Sequence, residues 1–169
     1  MDWCCEPTVL KSTGLNVLQH IGNTVENGRQ LIDYDKESFV MVLQGWETRD
    51  YLTCLDYCKD YGLLTKMIGV GTICGRTDAK QVYDILRALR YELPDQTEIH
   101  CFGLSLNLLK YKEIFDKIDS MDTHAWSRSL GLNVRQNAVV SVRKEMLLNY
   151  SVKLNDMINK NNRQSVLAI

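Results

Sequence analysis

Short apolar runs alternate along this chain with longer stretches in which apolar residues recur every three or four positions. The first pattern predicts strands and the second helices, and their regular alternation is the signature of an α/β fold. Three runs read as strands: Phe39-Val40-Met41-Val42-Leu43-Gln44-Gly45-Trp46, Lys66-Met67-Ile68-Gly69-Val70-Gly71, and Glu98-Ile99-His100-Cys101-Phe102-Gly103-Leu104. They begin about 30 residues apart, the length of one parallel βα unit. Their near-continuous apolar character predicts a parallel sheet buried on both faces. Ser120-Met121-Asp122-Thr123-His124 is a possible fourth strand, and the start around Asp2 to Pro7 reads as a strand remnant.

The intervening stretches predict helices. Leu15 to Asn27 carries Val17, Ile21 and Val25 four apart, with Gly28 placed to end the helix. Thr48 is the expected cap of a helix with Tyr51, Leu52, Leu55 and Cys58 on one face, closed at Gly62. Thr77 similarly precedes Ala79, Val82, Ile85, Leu86 and Leu89, and Pro94 stops that pattern. After Leu109 a short helix turns Phe115 and Ile118 inward. From Val134 through Ala138, Val142, Met146, Tyr150, Leu154 and Ile158 the period of four predicts one long amphipathic helix, with Arg135, Arg143, Lys144 and Lys153 elsewhere on its surface and a frayed tail from Asn161.

Composition narrows the function classes. The chain has 169 residues, 45% hydrophobic, and 20 Lys+Arg balance 21 Asp+Glu for a net charge of −1. That is enough apolar material for a core, so collagenous and mainly disordered proteins are excluded. A balanced charge means that any grip on nucleic acid is local, and the basic face from Arg135 to Lys153 is where it is expected. No apolar run is long enough to span a membrane, and the start lacks the features of a signal peptide; the expected location is cytoplasmic. Cys4, Cys5, Cys54, Cys58, Cys74 and Cys101 form no CxxC pair and read as reduced thiols, with no metal or other cofactor expected.

In parallel sheets ligands bind beyond the carboxyl ends of the strands, and here those ends are polar or small: Gln44-Gly45, Gly69-Val70-Gly71-Thr72, Phe102-Gly103-Leu104-Ser105 and Asp122. A Gln amide offers donor and acceptor together, suited to a planar heterocycle edge, and glycines allow backbone amides to come close. Turn chemistry accounts for such glycines equally well. The Gly69 to Gly75 loop is spaced GxGxxxG and has no acidic ribose partner, and GK[ST] is missing, so neither a dinucleotide fingerprint nor a Walker loop is present. Asp122, with Asp119, His124 and Trp126 nearby, stands where a carboxylate serves as nucleophile or base, or simply caps a helix. His100, inside a strand, reads as a satisfied core histidine.

At these same positions the chain resembles the tRNA-guanine (queuine) transglycosylase superfamily, and more closely its DNA-acting branch of the deoxypurine-in-DNA protein A type. The matching stretches are Asp2-Trp3-Cys4-Cys5-Glu6-Pro7, His20 with Thr24 and Asn27, Val42 to Trp46 followed by Asp50-Tyr51, Ile68 to Arg76, His100 to Leu104, and Asp122 to Ser127. They cover residues 2 to 127 in the family's order. The resemblance implies the C-terminal part of a TIM-type (β/α)8 barrel over 1–127, with 128–169 as the long helix and tail of the same domain. It also implies replacement of guanine by a 7-deazaguanine of the preQ0 type at a nucleoside C1′ in DNA. By residue-by-residue carry-over, Asp122 is the nucleophile, with Asp119 the competing candidate. Asp2 and Gln44, with Gly45 and Gly103 beside them and backbone amides near Gly69 and Gly71, bind the base.

Two departures shape the expectation. The superfamily's earlier, proton-transferring aspartate has no counterpart here, and the tRNA branch's CxCxxC-plus-His zinc site is missing after Trp126. A full barrel needs about 250 residues and eight βα units. The chain therefore reads as one half of a barrel, completed by a second chain or by self-association. The alternatives are a catalytically silent half-barrel binding nucleic acid or a partner, a tRNA-guanine transglycosylase, and an unrelated small α/β enzyme acting on a free nucleoside.

Overall fold

Four parallel strands, each fed by a helix, form a sheet in the sequential order β1-β2-β3-β4. The structure is a computed structural model that describes residues 3–123 and 140–167. The elements are α1 (Pro7–Thr13), α2 (Val17–Asp35), β1 (Met41–Leu43), α3 (Thr48–Asp60), β2 (Met67–Val70), α4 (Ala79–Glu92), β3 (Glu98–Cys101), a 3-10 turn (Leu106–Leu108), α5 (Lys112–Phe115), β4 (Ser120–Met121) and α6 (Val140–Leu167). The α/β expectation holds with a four-stranded parallel sheet, while the apolar runs extend beyond the strands they contain.

Local chemistry explains the helix ends and moves several of them from where periodicity places them. Asn16 accepts from the Gln19 amide while the Gln19 side chain accepts from the Asn16 amide, and this reciprocal pair starts α2. Glu47 and Asp78 are the caps of α3 and α4, in place of Thr48 and Thr77. Asp78 accepts from the amides of Lys80 and Gln81. Gly28 does not end α2, which continues to Asp35. The residue lies inside the helix against the buried Met41 side chain, whose end a Cβ there would displace. Residues 3–6 make no strand, and Pro7 opens α1 at a position where its missing N–H costs nothing.

Pairing register sorts the side chains into two faces. Met41, Ile68 and Ile99 lie side by side, as do Leu43, Val70, Cys101 and Met121. All of these but the half-buried Met121 are buried, in one core with Ile21, Val25, Leu55, Cys58, Val82, Ile85, Leu86 and Leu89 from α2, α3 and α4. Each buried Val, Leu, Ile or Met side chain contributes about 1.5–3 kcal/mol. The row between, Val42, Gly69, His100 and Ser120, belongs to the opposite face. There Val40 and Phe102 are 41% and 39% exposed. Burial on both faces, which the apolar runs suggested, is thus found fully on one face only.

The C-terminal helix α6 docks through Tyr150, Leu154 and Met157. It continues as helix to Leu167, beyond the predicted frayed start at Asn161. Asn161 is buried, and its Nδ2 donates to the carbonyl of Leu109 at 2.6 Å, a contact that holds the helix on the segment after β3. Lys153 is exposed, whereas Val134, Arg135 and Ala138 lie outside the described residues. No described helix is long and apolar enough to cross a membrane.

Candidate functional site

The sheet ladder continues one residue past each strand and delivers a row of residues to its carboxyl edge. Gly71 N donates to Leu43 O at 3.0 Å, Phe102 N to Val70 O at 3.1 Å, and Asp122 N to Cys101 O at 3.3 Å. Gln44, Gly71, Phe102 and Asp122 therefore follow one another across the four strands. At ordinary strand spacing the two ends of that row are roughly 14 Å apart. A ligand touching both Gln44 and Asp122 must lie along the edge.

At the β1–β2 end, Thr72 is the hub. Its Oγ1 accepts from the Cys5 amide at 2.8 Å and donates to Gln44 Oε1, tying the N-terminal segment to the sheet. Thr72 achieves this at φ 51°, a left-handed conformation that is costly for a β-branched residue. The Gln44 side chain is wholly buried and lies against Gly71, where a Cβ would run into its amide. Gly45 and Gly69 are likewise closely approached: a Cβ on Gly45 would meet the Tyr51 backbone nitrogen at 2.7 Å, and one on Gly69 would meet the Phe102 ring, with Val42 Cγ2 at 3.2 Å. The close approaches at these glycines are made by the protein's own groups.

Around this hub the loops are locked. Tyr51 OH donates to Gly71 O at 2.8 Å, and burial pushes its hydroxyl above the usual tyrosine range. Arg76 donates from Nε to Thr72 O at 3.0 Å and from Nη2 to Trp46 O at 2.7 Å, with its guanidinium 4.2 Å from the Trp46 ring centroid. His20 is buried, bonded to Cys4 O at 2.7 Å and Thr13 Oγ1 at 2.8 Å. The Trp3 amide donates to Thr24 Oγ1 at 2.8 Å. Asp2, expected to read the base edge, lies outside the described residues.

At the β3–β4 end, Asp122 follows the last residue of β4 with its side chain 49% exposed. Its Oδ1 accepts from Gly103 N at 2.9 Å and lies 3.6 Å from His100 Nε2, while His100 Nδ1 is 2.8 Å from Ser120 Oγ. Gly103 needs its φ of 69° to turn that amide toward Asp122, and Cys74 Cβ would be 2.8 Å from any Cβ added there. His100 lies on the open face, edge-on to Phe102 with centroids 4.6 Å apart, and is no core histidine. Its alternation with Phe102, and the matching position of Ser120, was the available signal for placing it beside Asp122. His124 and Trp126 lie outside the described residues.

Asp119, three residues earlier, is at the other end of β4. It pairs with Arg90 and accepts from Ile99 N at 2.7 Å, and Arg90 also donates to Lys117 O at 2.8 Å and Thr97 O at 2.6 Å. These contacts staple α4 to the amino ends of β3 and β4. Asp119 and Asp122 are thus not neighbours in one site.

The thiols around the edge are held neutral. Burial pushes Cys5 up to about 12, aided by Cys54 and Asp50, and Cys101 up to about 12 against the opposing charge of Arg90. No trio of His, Cys, Asp or Glu among the described residues is grouped to hold a metal ion. Among the described residues the edge therefore offers, at its β3–β4 end, a half-exposed carboxylate with a backbone donor and an imidazole beside it, and, at its other end, an amide and hydroxyl pair under a clamped N-terminal segment.

Among curated proteins none matches the chain. The family model described as "DpdA: DeoxyPurine in DNA protein A" matches residues 1–152, which span the whole sheet, its carboxyl edge and the start of α6, and the chain accordingly belongs to the DpdA family.

Proposed function

We propose that the chain is a DNA-modifying transglycosylase that exchanges guanine for a 7-deazaguanine, with Asp122 as the nucleophile. Family membership supports the DNA-directed role. The observation that carries the residue assignment is the position of Asp122: beyond the carboxyl end of β4, half exposed, with Oδ1 held by the Gly103 amide. An Asp122 oxygen bonds to C1′ as the C1′–N9 bond breaks, the electron pair leaving with guanine, which takes up a proton. The incoming base then gives up its N9 proton and displaces the carboxylate from C1′, so one base replaces another with no oxidant or reductant. Asp119, committed to Arg90, has no role in this step.

A deoxyguanosine-containing oligonucleotide incubated with the protein and resolved on a denaturing gel tests this. The expected result is a slow covalent band that is lost in Asp122→Asn and kept in Asp119→Asn. A band surviving loss of Asp122 overturns the assignment, and a band with tRNA alone replaces DNA as the substrate.

A second reading rests on the open face. Val40 and Val42 line a groove of about 200 Å³ between β1 and α2, together with Thr24, Asn27, Gly28, Leu31 and Met41. Among the described residues β1 is also an edge strand. A half-buried row beside a strand edge that no described residue pairs with suits completion by another βα-rich chain or a second copy, with the half-barrel then acting as a binding module. A monomer by light scattering at high concentration, forming the covalent band unaided, removes this reading.

A further inference from the structure

Both contacts that the described residues make with the Asp122 carboxylate go to the same oxygen. Oδ1 accepts from the Gly103 amide and faces His100 Nε2, which leaves Oδ2 as the oxygen available to a reacting carbon. His100 is itself oriented: Nδ1 is bonded to Ser120 Oγ, and the ring stands edge-on against Phe102. All three groups come from adjacent positions on the open face, since His100 pairs with Ser120 in the β3–β4 register. In the Nε2–H tautomer the Ser120 hydroxyl donates to Nδ1, and Nε2–H is the donor on the side of the carboxylate.

We infer that His100, anchored by Ser120, is a positioning residue that fixes which Asp122 oxygen attacks. The inference rests on the proposed transglycosylase reading but assigns a role to a side chain that the reading does not use. At 3.6 Å the Nε2–Oδ1 pair is just beyond hydrogen-bond distance, and such catalytic contacts tighten in the substrate complex. An imidazole there holds Oδ1 in place and leaves the angle of attack of Oδ2 defined. Misplacing a reacting atom by about 1 Å costs on the order of 100-fold in rate.

Two amide substitutions separate the two ring nitrogens. In His100→Gln the side-chain amide reaches the Nε2 position and keeps a donor toward Asp122. In His100→Asn it reaches only the Nδ1 position and keeps the Ser120 contact alone. The expected rates of covalent band formation are within about threefold of the original for Gln, about 100-fold lower for Asn and about 10-fold lower for Ser120→Ala, with the KM for the oligonucleotide within about twofold throughout. Equal rates for Gln and Asn, or a change confined to KM, overturn the inference.

A readout on the protein alone keeps the two ideas apart. The Gly103 amide proton, hydrogen-bonded to Oδ1, is expected to move in His100→Asn toward its NMR position in Asp122→Ala and to stay in place in His100→Gln, with the rest of the spectrum unchanged. A Gly103 resonance that does not respond to His100→Asn overturns the positioning role whether or not the covalent band forms. A missing band in the original protein overturns the proposed reaction, while the amide shift still decides the placement of the carboxylate.

Discussion

The two ends of the sheet are built from similar side chains and put them to different use. At the amino end, Asp119 is tied down by Arg90 and by the Ile99 amide, Thr65 accepts from the Met41 amide and donates to Met67 O, and every one of these contacts staples one element to the next. At the carboxyl end, Asp122 has one close backbone donor among the described residues and a half-exposed side chain, while Thr72 sustains a left-handed backbone to join Cys5 and Gln44. The helix dipoles and strand directions of βα units make this difference general: strands end where the following loops and helix N-termini begin, so donors gather at that edge. The end of the strand that a carboxylate occupies thus sets its surroundings: Asp119 lies among cross-links and Asp122 faces solvent.

The largest expected effect tests that contrast directly. Asp122→Asn lowers covalent band formation by at least about 10³-fold with an unchanged melting temperature, and an equal loss in a folded Asp119→Asn protein would break the comparison. Next comes Thr72→Val, which leaves the Cys5 amide and the Gln44 amide oxygen without their buried partner. It is expected to cost about 2–4 kcal/mol by urea denaturation, and a loss below about 1 kcal/mol would show the hub to be incidental. Asp119→Asn is smaller, about 1–2 kcal/mol, because the side chain is 45% exposed and Arg90 keeps its two carbonyl partners.

The smallest effect is an alkaline slope. Cys5 and Cys101 stay protonated in the folded protein to about pH 12, against an ordinary value of 9.0. Below pH 9 neither state loses the proton and the thiols contribute no pH dependence. Between 9 and 12 the unfolded chain ionises first, so stability falls as pH rises. A Cys5→Ala/Cys101→Ala variant should show a shallower decline of melting temperature above pH 9. An unchanged slope would mean that the loss comes from other groups.

Much of the architecture was legible in the chain. Apolar runs at the spacing of βα units identified three strands, and the period of four identified α2, α3, α4 and α6, because burial of a face leaves its imprint on every turn. Boundaries were not legible where a competing contact set them: Glu47 and Asp78 cap in place of Thr48 and Thr77, and α2 runs through Gly28, which lies against Met41. The strand-end residues were found by position, but the burial of Gln44 against Gly71 and its bond with Thr72 were not legible. His100 was assigned to the core because apolar neighbours surround it in sequence, although those neighbours alternate onto the other face.

By itself, the sequence determined the alternation of strands and helices, the parallel class of the sheet and membership of the DpdA family, since these depend on residue type and spacing along one dimension. Only the tertiary structure set Asp119 and Asp122 at opposite ends of β4, brought His100 and Ser120 to the second of them, and placed Thr72 between Cys5 and Gln44. Those relations depend on register and strand direction, which join residues up to 67 positions apart through side chains whose partners no local pattern specifies.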